Sequence, residues 1–290
     1  MILFFRNNRF LIGVSLDGPK SVHDMYRNGK AGASTFDRVI KGMAELYRAR
    51  VDYNVMATVN KQSEDRGLEV YQLLKSVGTR FIQFMPVVEH VKDGRIVDPG
   101  TPGSCLAPWS VGSKAFGQFL CEIFDHWVLH DVGRIFVNQF DAALASWRGV
   151  QPGTCTFAET CGGNSVIEHN GDLYPCDHFV YEKYRIGNVL ETDLRTLMNS
   201  PKQVKFGIDK RNGLPGKCLR CKWFFACHGE CPKHRFSLTD KGETGLNILC
   251  EGYEMFFSHI APYMEKMQAL LAVGRPASDI MIPYSLSSSI

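Results

Sequence analysis

Apolar positions in the first half of the chain alternate between two spacings. Phe10 to Leu16 (FLIGVSL) is a short, nearly continuous apolar run closed by Asp17-Gly18-Pro19, which predicts a strand and then a turn. From Phe36 to Ala49 the apolar residues Phe36, Val39, Ile40, Met43, Leu46 and Tyr47 fall at helical spacing, with Ser34-Thr35 placed to cap the helix. Tyr53 to Val59 (YNVMATV) predicts a second strand, Glu64 to Val77 a helix stopped by Gly78, and Phe81 to Val88 (FIQFMPVV) a third strand. A β-α-β-α-β order implies parallel strands joined by right-handed crossovers, and strands this apolar suit a sheet covered on both faces. Three or four such strands leave the sheet edges open, as in a fold entered midway.

Further along, the pattern loosens. Residues 92–108 (KDGRIVDPGTPGSCLAP) are rich in Gly and Pro and predict a long loop. Ser110 to Leu129 is an amphipathic helix with Phe116, Phe119, Leu120, Ile123, Phe124 and Trp127 on its apolar side; it is expected to be a core helix. A strand over Arg134 to Phe140 and a short helix over Ala142 to Trp147 follow. Beyond Gln151 the periodicity gives way to glycines, and eight of the ten cysteines lie between there and Glu251. The expected organisation is an α/β segment over 1–150, a cysteine-rich domain over 151–257, and a C-terminal helix with a frayed tail, including Ser285 to Ser289, over 258–290.

Composition narrows the classes. A chain of 290 residues with 44% hydrophobic and 22% charged residues is a soluble globular protein. A net charge of +3 gives no footprint for nucleic acid or an acidic membrane surface. No apolar run reaches the length of a membrane span. The opening MILFFRNNRF is cut by Arg6 and Arg9 and lacks the long apolar region of a signal peptide. The expected compartment is the cytoplasm, where thiols seldom end as disulfides.

The cysteines fall into two groups: Cys155-x5-Cys161-x14-Cys176, and Cys218-x2-Cys221-x5-Cys227-x3-Cys231-x18-Cys250. Cys105 and Cys121 stand apart and read as unligated. Eight thiolates are the number that two four-coordinate sites require, and soft sulfur ligands select zinc or iron–sulfur clusters. Zinc ribbons pair one CxxC with another, whereas this chain has a single CxxC. On the residues alone, structural zinc and iron–sulfur clusters both remain open.

The spacing, with Asp177 directly after Cys176, resembles the SPASM domain of radical S-adenosylmethionine enzymes, and specifically that of the anaerobic sulfatase-maturating enzymes. The resemblance extends upstream through GVSLDGPKSVHDMYR, TFDRVIKGM and FIQFMPVVE, and so covers nearly the whole chain to about residue 257. It implies a partial (β/α)6 barrel followed by a SPASM domain with two auxiliary [4Fe–4S] clusters. One cluster would be held by Cys155, Cys161, Cys176 and Cys231, the other by Cys218, Cys221, Cys227 and Cys250. Asp177 would be the catalytic base. Ser15, Arg27 and the backbone at Val88 would contact S-adenosylmethionine, and strand ends such as those near Ser15 and Val88 are where parallel sheets bind ligands. His178, beside the implied base, has no such support and reads as a surface or packing residue.

The implied activity is oxidation of a peptidyl Cys or Ser of a sulfatase to Cα-formylglycine, with the sulfatase polypeptide and an electron donor such as flavodoxin or ferredoxin as partners. The family's third [4Fe–4S] cluster, on which S-adenosylmethionine is cleaved, needs CxxxCxxC, and no such spacing occurs in these 290 residues. The sequence is therefore expected to be a truncated form, inactive alone. Two other readings stand beside this one: another SPASM-type peptide maturase that forms a cross-link, and a non-catalytic remnant that binds iron–sulfur clusters or zinc.

Overall fold

The structure is a computed structural model that describes residues 1–282; Ser285 to Ser289, expected to fray, lie outside the described residues. The chain divides into two units. Among the described residues the first takes 1–88, 108–153 and 251–282, and the second takes 89–107 and 154–250.

The first unit is built on a parallel sheet. Strands β1 (Leu11–Ser15), β2 (Asp52–Val59) and β3 (Phe81–Pro86) lie side by side, and a short strand, Phe136–Val137, completes the order beside β3. In the register, Val14 stands opposite Val55, Val55 opposite Ile82, and Ile82 opposite Val137. Along β2 the residues Tyr53, Val55, Ala57 and Val59 are buried, whereas Asp52, Asn54, Met56 and Thr58 are not. The sheet is thus covered more closely on one face, and the expectation of two covered faces fails among the described residues. Ile82 and Phe84 of β3 share the buried face, and Phe119 packs edge-on to Phe84 at 5.2 Å.

The helices of this unit are α1 (Ile2–Asn7), α2 (Lys20–Tyr26), α3 (Phe36–Arg48), α4 (Gly67–Ser76), α5 (Ser113–His130), α6 (Asn138–Trp147) and a C-terminal helix, Cys250–Ala272. Helix α1 had no counterpart in the sequence reading; Phe4 and Phe5 close it against Phe10 at 5.6 and 5.5 Å. Helix α4 starts later than Glu64 because that carboxylate accepts the Gly112 N–H at 2.7 Å instead of entering a helix. The strand expected over Arg134 to Phe140 is only two residues long, because α6 already begins at Asn138.

The C-terminal helix buries Gly252, Phe256, Ile260, Met264 and Met267, one apolar stripe at helical spacing. It meets α5 without side chains between them. A Cβ at Gly117 would stand 2.6 Å from the Gly252 carbonyl oxygen, and one at Gly252 only 2.0 Å from that of Ser113. Ser113 Oγ also accepts the Gly252 N–H at 3.0 Å, supplying a partner to a first-turn amide that the helix itself leaves unpaired. No helix among the described residues is long and apolar enough to cross a membrane.

The second unit is made of short pieces. Residues 92–108, expected to be a loop, contribute to an antiparallel sheet in which His90–Lys92 pairs with both Arg95–Val97 and Cys105–Leu106. Asp93 and Gly94 form its tight turn in left-handed conformations, at φ 51° and 72°. The Gly and Pro content hid strands too short to show a period. A second antiparallel sheet pairs Asp172–Tyr174 with Val166–Ile167 and with Gly187–Asn188. The helix Pro201–Asn212 is capped by Ser200, whose Oγ accepts the Gln203 N–H at 3.3 Å. Phe157, Leu173, Phe179 and Leu197 are among its buried residues, a small core for so long a stretch.

Candidate iron-sulfur centre

The cysteines of the second unit sit on turns and helix ends. Cys155 and Cys161 lie in an irregular segment pinned to the helix Pro201–Asn212. The Cys161 N–H meets the Gly207 carbonyl at 3.3 Å, and buried Lys210 donates Nζ to the carbonyls of Cys155 and Thr156, the latter at 2.8 Å. Cys176 follows the strand Asp172–Tyr174. Cys218 and Cys227 lie in the short helices Gly216–Leu219 and Phe224–Cys227, and Cys250 opens the C-terminal helix.

The thiols interact in two sets. Cys155 acts on both Cys161 and Cys176, and Cys176 acts on Cys231. Cys218 senses Cys221, and Cys227 senses Cys250 and Cys218. Among the described residues, no three His, Cys, Asp or Glu side chains converge tightly enough to form a ready metal site. Burial pushes the thiols up: Cys176 to about 12, and Cys161, Cys218, Cys227 and Cys231 in the same direction. As free thiols these groups stay protonated, and becoming ligands requires compensating positive charge and releases protons.

One local motif occurs twice. The backbone N–H two residues after the cysteine points at its sulfur: His178 at Cys176 (3.5 Å) and Trp223 at Cys221 (3.4 Å); the Gly229 and Lys233 amides favour the thiolate forms of Cys227 and Cys231 in the same sense. A neutral thiol gains little from such a donor. A thiolate gains a charge-assisted bond, and hydrogen bonds to sulfur are a main control on iron–sulfur potentials. Two cations add to this: Lys210 acts on Cys161 and Cys231, and Arg235 on Cys218, Cys227 and Cys231. Donors and positive charge aimed at sulfur fit a negatively charged thiolate-bound cluster.

The remaining expected residues are placed as follows. Asp177 is exposed and opens the helical turn Asp177–Phe179; its Oδ1 is 3.2 Å from Cys176 Sγ. Ser15 ends β1, opposite Met56. Arg27 ends α2, where its Nε and Nη2 bind the buried Asp17 carboxylate at 2.6 and 3.1 Å. Asp17 also accepts the Thr58 N–H at 2.8 Å, so Arg27 is fixed beside the C-terminal end of β2 and keeps one nitrogen, Nη1, for another partner. Val88 is buried just beyond β3, and its own N–H and C=O meet no partner among the described residues.

His178 is exposed, as expected of a surface residue, and its Nδ1 lies 3.6 Å from Cys231 Sγ. Sequence reasoning missed Lys210, Glu230 and Arg235; single charged residues in a polar stretch read as solvated, and nothing in their spacing marks Lys210 and Glu230 as buried or Arg235 as half-buried.

Comparison with known proteins agrees with this chemistry. The SPASM family, an iron-sulfur cluster-binding domain, matches residues 155–222. A serine-type anaerobic sulfatase-maturating enzyme of Bacteroides thetaiotaomicron is 45% identical over 283 residues, covering 96% of this chain and 68% of that protein. A cysteine-type anaerobic sulfatase-maturating enzyme of Clostridium novyi is 32% identical over 256 residues, covering 88% of this chain and 66% of the relative. The solved structure of native anSMEcpe with bound AdoMet and Kp18Cys peptide superposes with a TM-score of 0.79 at 27% identity, covering 92% of this chain and 72% of that one. The chain thus spans about two thirds of the length of these sequence relatives, with parallel sheet and cysteine-rich unit both inside the matched region. On this identity and fold, the chain belongs to the anaerobic sulfatase-maturating enzymes, radical S-adenosylmethionine proteins with a SPASM domain.

Proposed function

We propose that this chain serves the oxidation of a peptidyl Cys or Ser of a sulfatase to Cα-formylglycine. The observation that carries the reading, beyond family membership, is the pair of interacting cysteine sets with N–H donors aimed at sulfur. Cys155, Cys161, Cys176 and Cys231 would hold one [4Fe–4S] cluster, and Cys218, Cys221, Cys227 and Cys250 the other. When bound, the auxiliary clusters supply a one-electron acceptor, while S-adenosylmethionine on the family's third cluster supplies the radical that takes the Cβ hydrogen.

The residues of the chain do the rest. Asp177, exposed beside Cys176, accepts the proton of the target thiol or hydroxyl; an exposed carboxylate can reach a peptide that a buried one could not. Arg27 offers its free nitrogen to the methionine carboxylate of S-adenosylmethionine, with the guanidinium aimed by Asp17. Ser15 and the unpaired backbone groups of Val88 hold the same ligand at the strand ends. The substrate is the sulfatase polypeptide, the electron donor a flavodoxin or ferredoxin, and the compartment the cytoplasm, where these thiols stay reduced for cluster assembly.

The test is metal content. Anaerobic reconstitution should give about eight iron and eight sulfide per chain, with visible charge-transfer absorption, from two clusters of four thiolates each. Stoichiometric zinc without visible absorption would sink the reading.

A further inference from the structure

The five residues Cys227 to Cys231 join the two cysteine sets, with one member of each set at either end. The loop between them is unusual. His228, Gly229 and Glu230 are all left-handed, at φ 47°, 70° and 54°, and two of the three are not glycine. A single non-glycine residue in that region is uncommon, and two flanking a left-handed glycine persist only when neighbouring groups hold them.

What holds the backbone of this loop is chiefly one side chain, with Asn247 Nδ2 also facing the Gly229 carbonyl at 3.5 Å. Arg235 donates Nε to the Gly229 carbonyl at 2.8 Å and Nη2 to those of His228 and Glu230 at 2.8 and 2.7 Å; Nη1 donates to the Lys210 carbonyl. Four carbonyls facing one guanidinium leave it immobile and, since arginine does not lose its proton in proteins, permanently charged. That charge acts on Cys218 and Cys227 of one set and on Cys231 and Cys161 of the other. Lys210, which is buried, acts on Cys161 and Cys231, both of one set. Fully buried Glu230 lies in the same loop, held by His234 Nδ1 at 2.8 Å and Asn247 Nδ2 at 2.6 Å, and acts on Cys227 and Cys231.

We propose that Arg235 is a positioning residue that fixes one positive charge between the two auxiliary clusters and so raises the reduction potential of both. The inference rests on the two-cluster reading above. Reduction adds one electron to a cluster already negative, and a fixed neighbouring cation in a low-dielectric interior favours the electron-richer form. One guanidinium thereby biases both clusters toward accepting the electron that the oxidation releases, and its clamp on the loop keeps Cys227 and Cys231 at the two ends it joins.

The experiment is a potentiometric titration of the anaerobically reconstituted chain, followed by electron paramagnetic resonance, with iron counted on each sample. Arg235→Gln should lower both potentials, each by an amount equivalent to about a tenfold drop in the reduced-to-oxidised ratio at fixed poise, ~59 mV for a one-electron couple. Arg235→Lys, which keeps the charge and loses most of the clamp, should shift them far less. Lys210→Gln should lower one potential only. Unchanged potentials in a fully loaded Arg235→Gln chain would overturn the proposal, as would equal falls in the Gln and Lys variants. Should Arg235→Gln hold too little iron to titrate, Glu230→Gln decides: removing that negative charge must raise both potentials, and no rise overturns the proposal. Failure of the unsubstituted chain to bind about eight iron would instead strike the two-cluster reading.

Discussion

Two glycine-to-alanine substitutions, chemically identical, should move stability in opposite directions. Gly42 lies exposed in α3, where an added Cβ would meet nothing within 4 Å. Alanine there should gain about 1 kcal/mol of helix propensity. Gly229 is left-handed at φ 70°, and its Cβ would stand 2.3 Å from Leu214 Cδ2 and 2.9 Å from Arg235 Nη2. The left-handed backbone costs alanine about 1–2 kcal/mol. Forcing Leu214 and the clamped guanidinium aside adds about 1–3 kcal/mol. The sum, about 2–5 kcal/mol, falls on the smaller unit and on the loop that carries Cys227 and Cys231. It should lower the melting midpoint of that unit by roughly 10 °C or more. The assay is anaerobic heating of the iron-loaded chain, with cluster bleaching read in the visible and secondary structure by circular dichroism. Gly229→Ala should bleach earlier and bind less iron than the unsubstituted chain, and Gly42→Ala should do neither. A Gly229→Ala chain that matches the unsubstituted one in iron content and bleaching temperature would refute the reasoning.

Two further predictions concern carboxylates. Asp177→Asn, placed in this chain fused behind a family N-terminal segment carrying CxxxCxxC, should still cleave S-adenosylmethionine but lose formylglycine yield by about 100-fold, the usual worth of a positioned base; near-normal yield by peptide mass, with serine and cysteine peptides both tried, would remove Asp177 from the mechanism. Burial pushes the Asp141 carboxyl up to about 7, above its unfolded value of about 3.9. The first unit should therefore hold its full stability below about pH 4 and lose a few kcal/mol as pH rises through 7. Asp141→Asn should abolish that slope, matching the unsubstituted chain in urea near pH 4 and exceeding it at pH 8, whereas parallel pH profiles would show the carboxyl to be solvated.

The legible part of this protein was its long-period structure. Phe36–Arg48, Asp52–Val59, Phe81–Pro86 and Ser113–His130 each repeat an apolar pattern often enough to set type and position. The strands of residues 90–106 are two or three residues long and carry no period to read, so their Gly and Pro dominated. At the site, cysteine spacing named the ligand candidates, because thiol chemistry is written in residue identity. The groups that act on the sulfurs were not so written. Backbone N–H donors belong to every residue, and Arg235 reaches four carbonyls through a loop conformation that no side-chain pattern announces.

The contact of Gly117 with Gly252 bears on how this sequence can drift. Most helix pairs meet through side chains, and a larger residue on one helix can be answered by a smaller one opposite, so substitutions can be exchanged one step at a time. Here each neighbour is main chain, at 2.6 Å from a Cβ built on Gly117 and 2.0 Å from one on Gly252, and main chain has nothing smaller to become. No second-site change of residue at the contact can compensate a first. Escape from glycine at either place requires the two helices to move apart as whole bodies, so the pair should behave under random mutagenesis as a locked position within a helix surface that otherwise tolerates exchange.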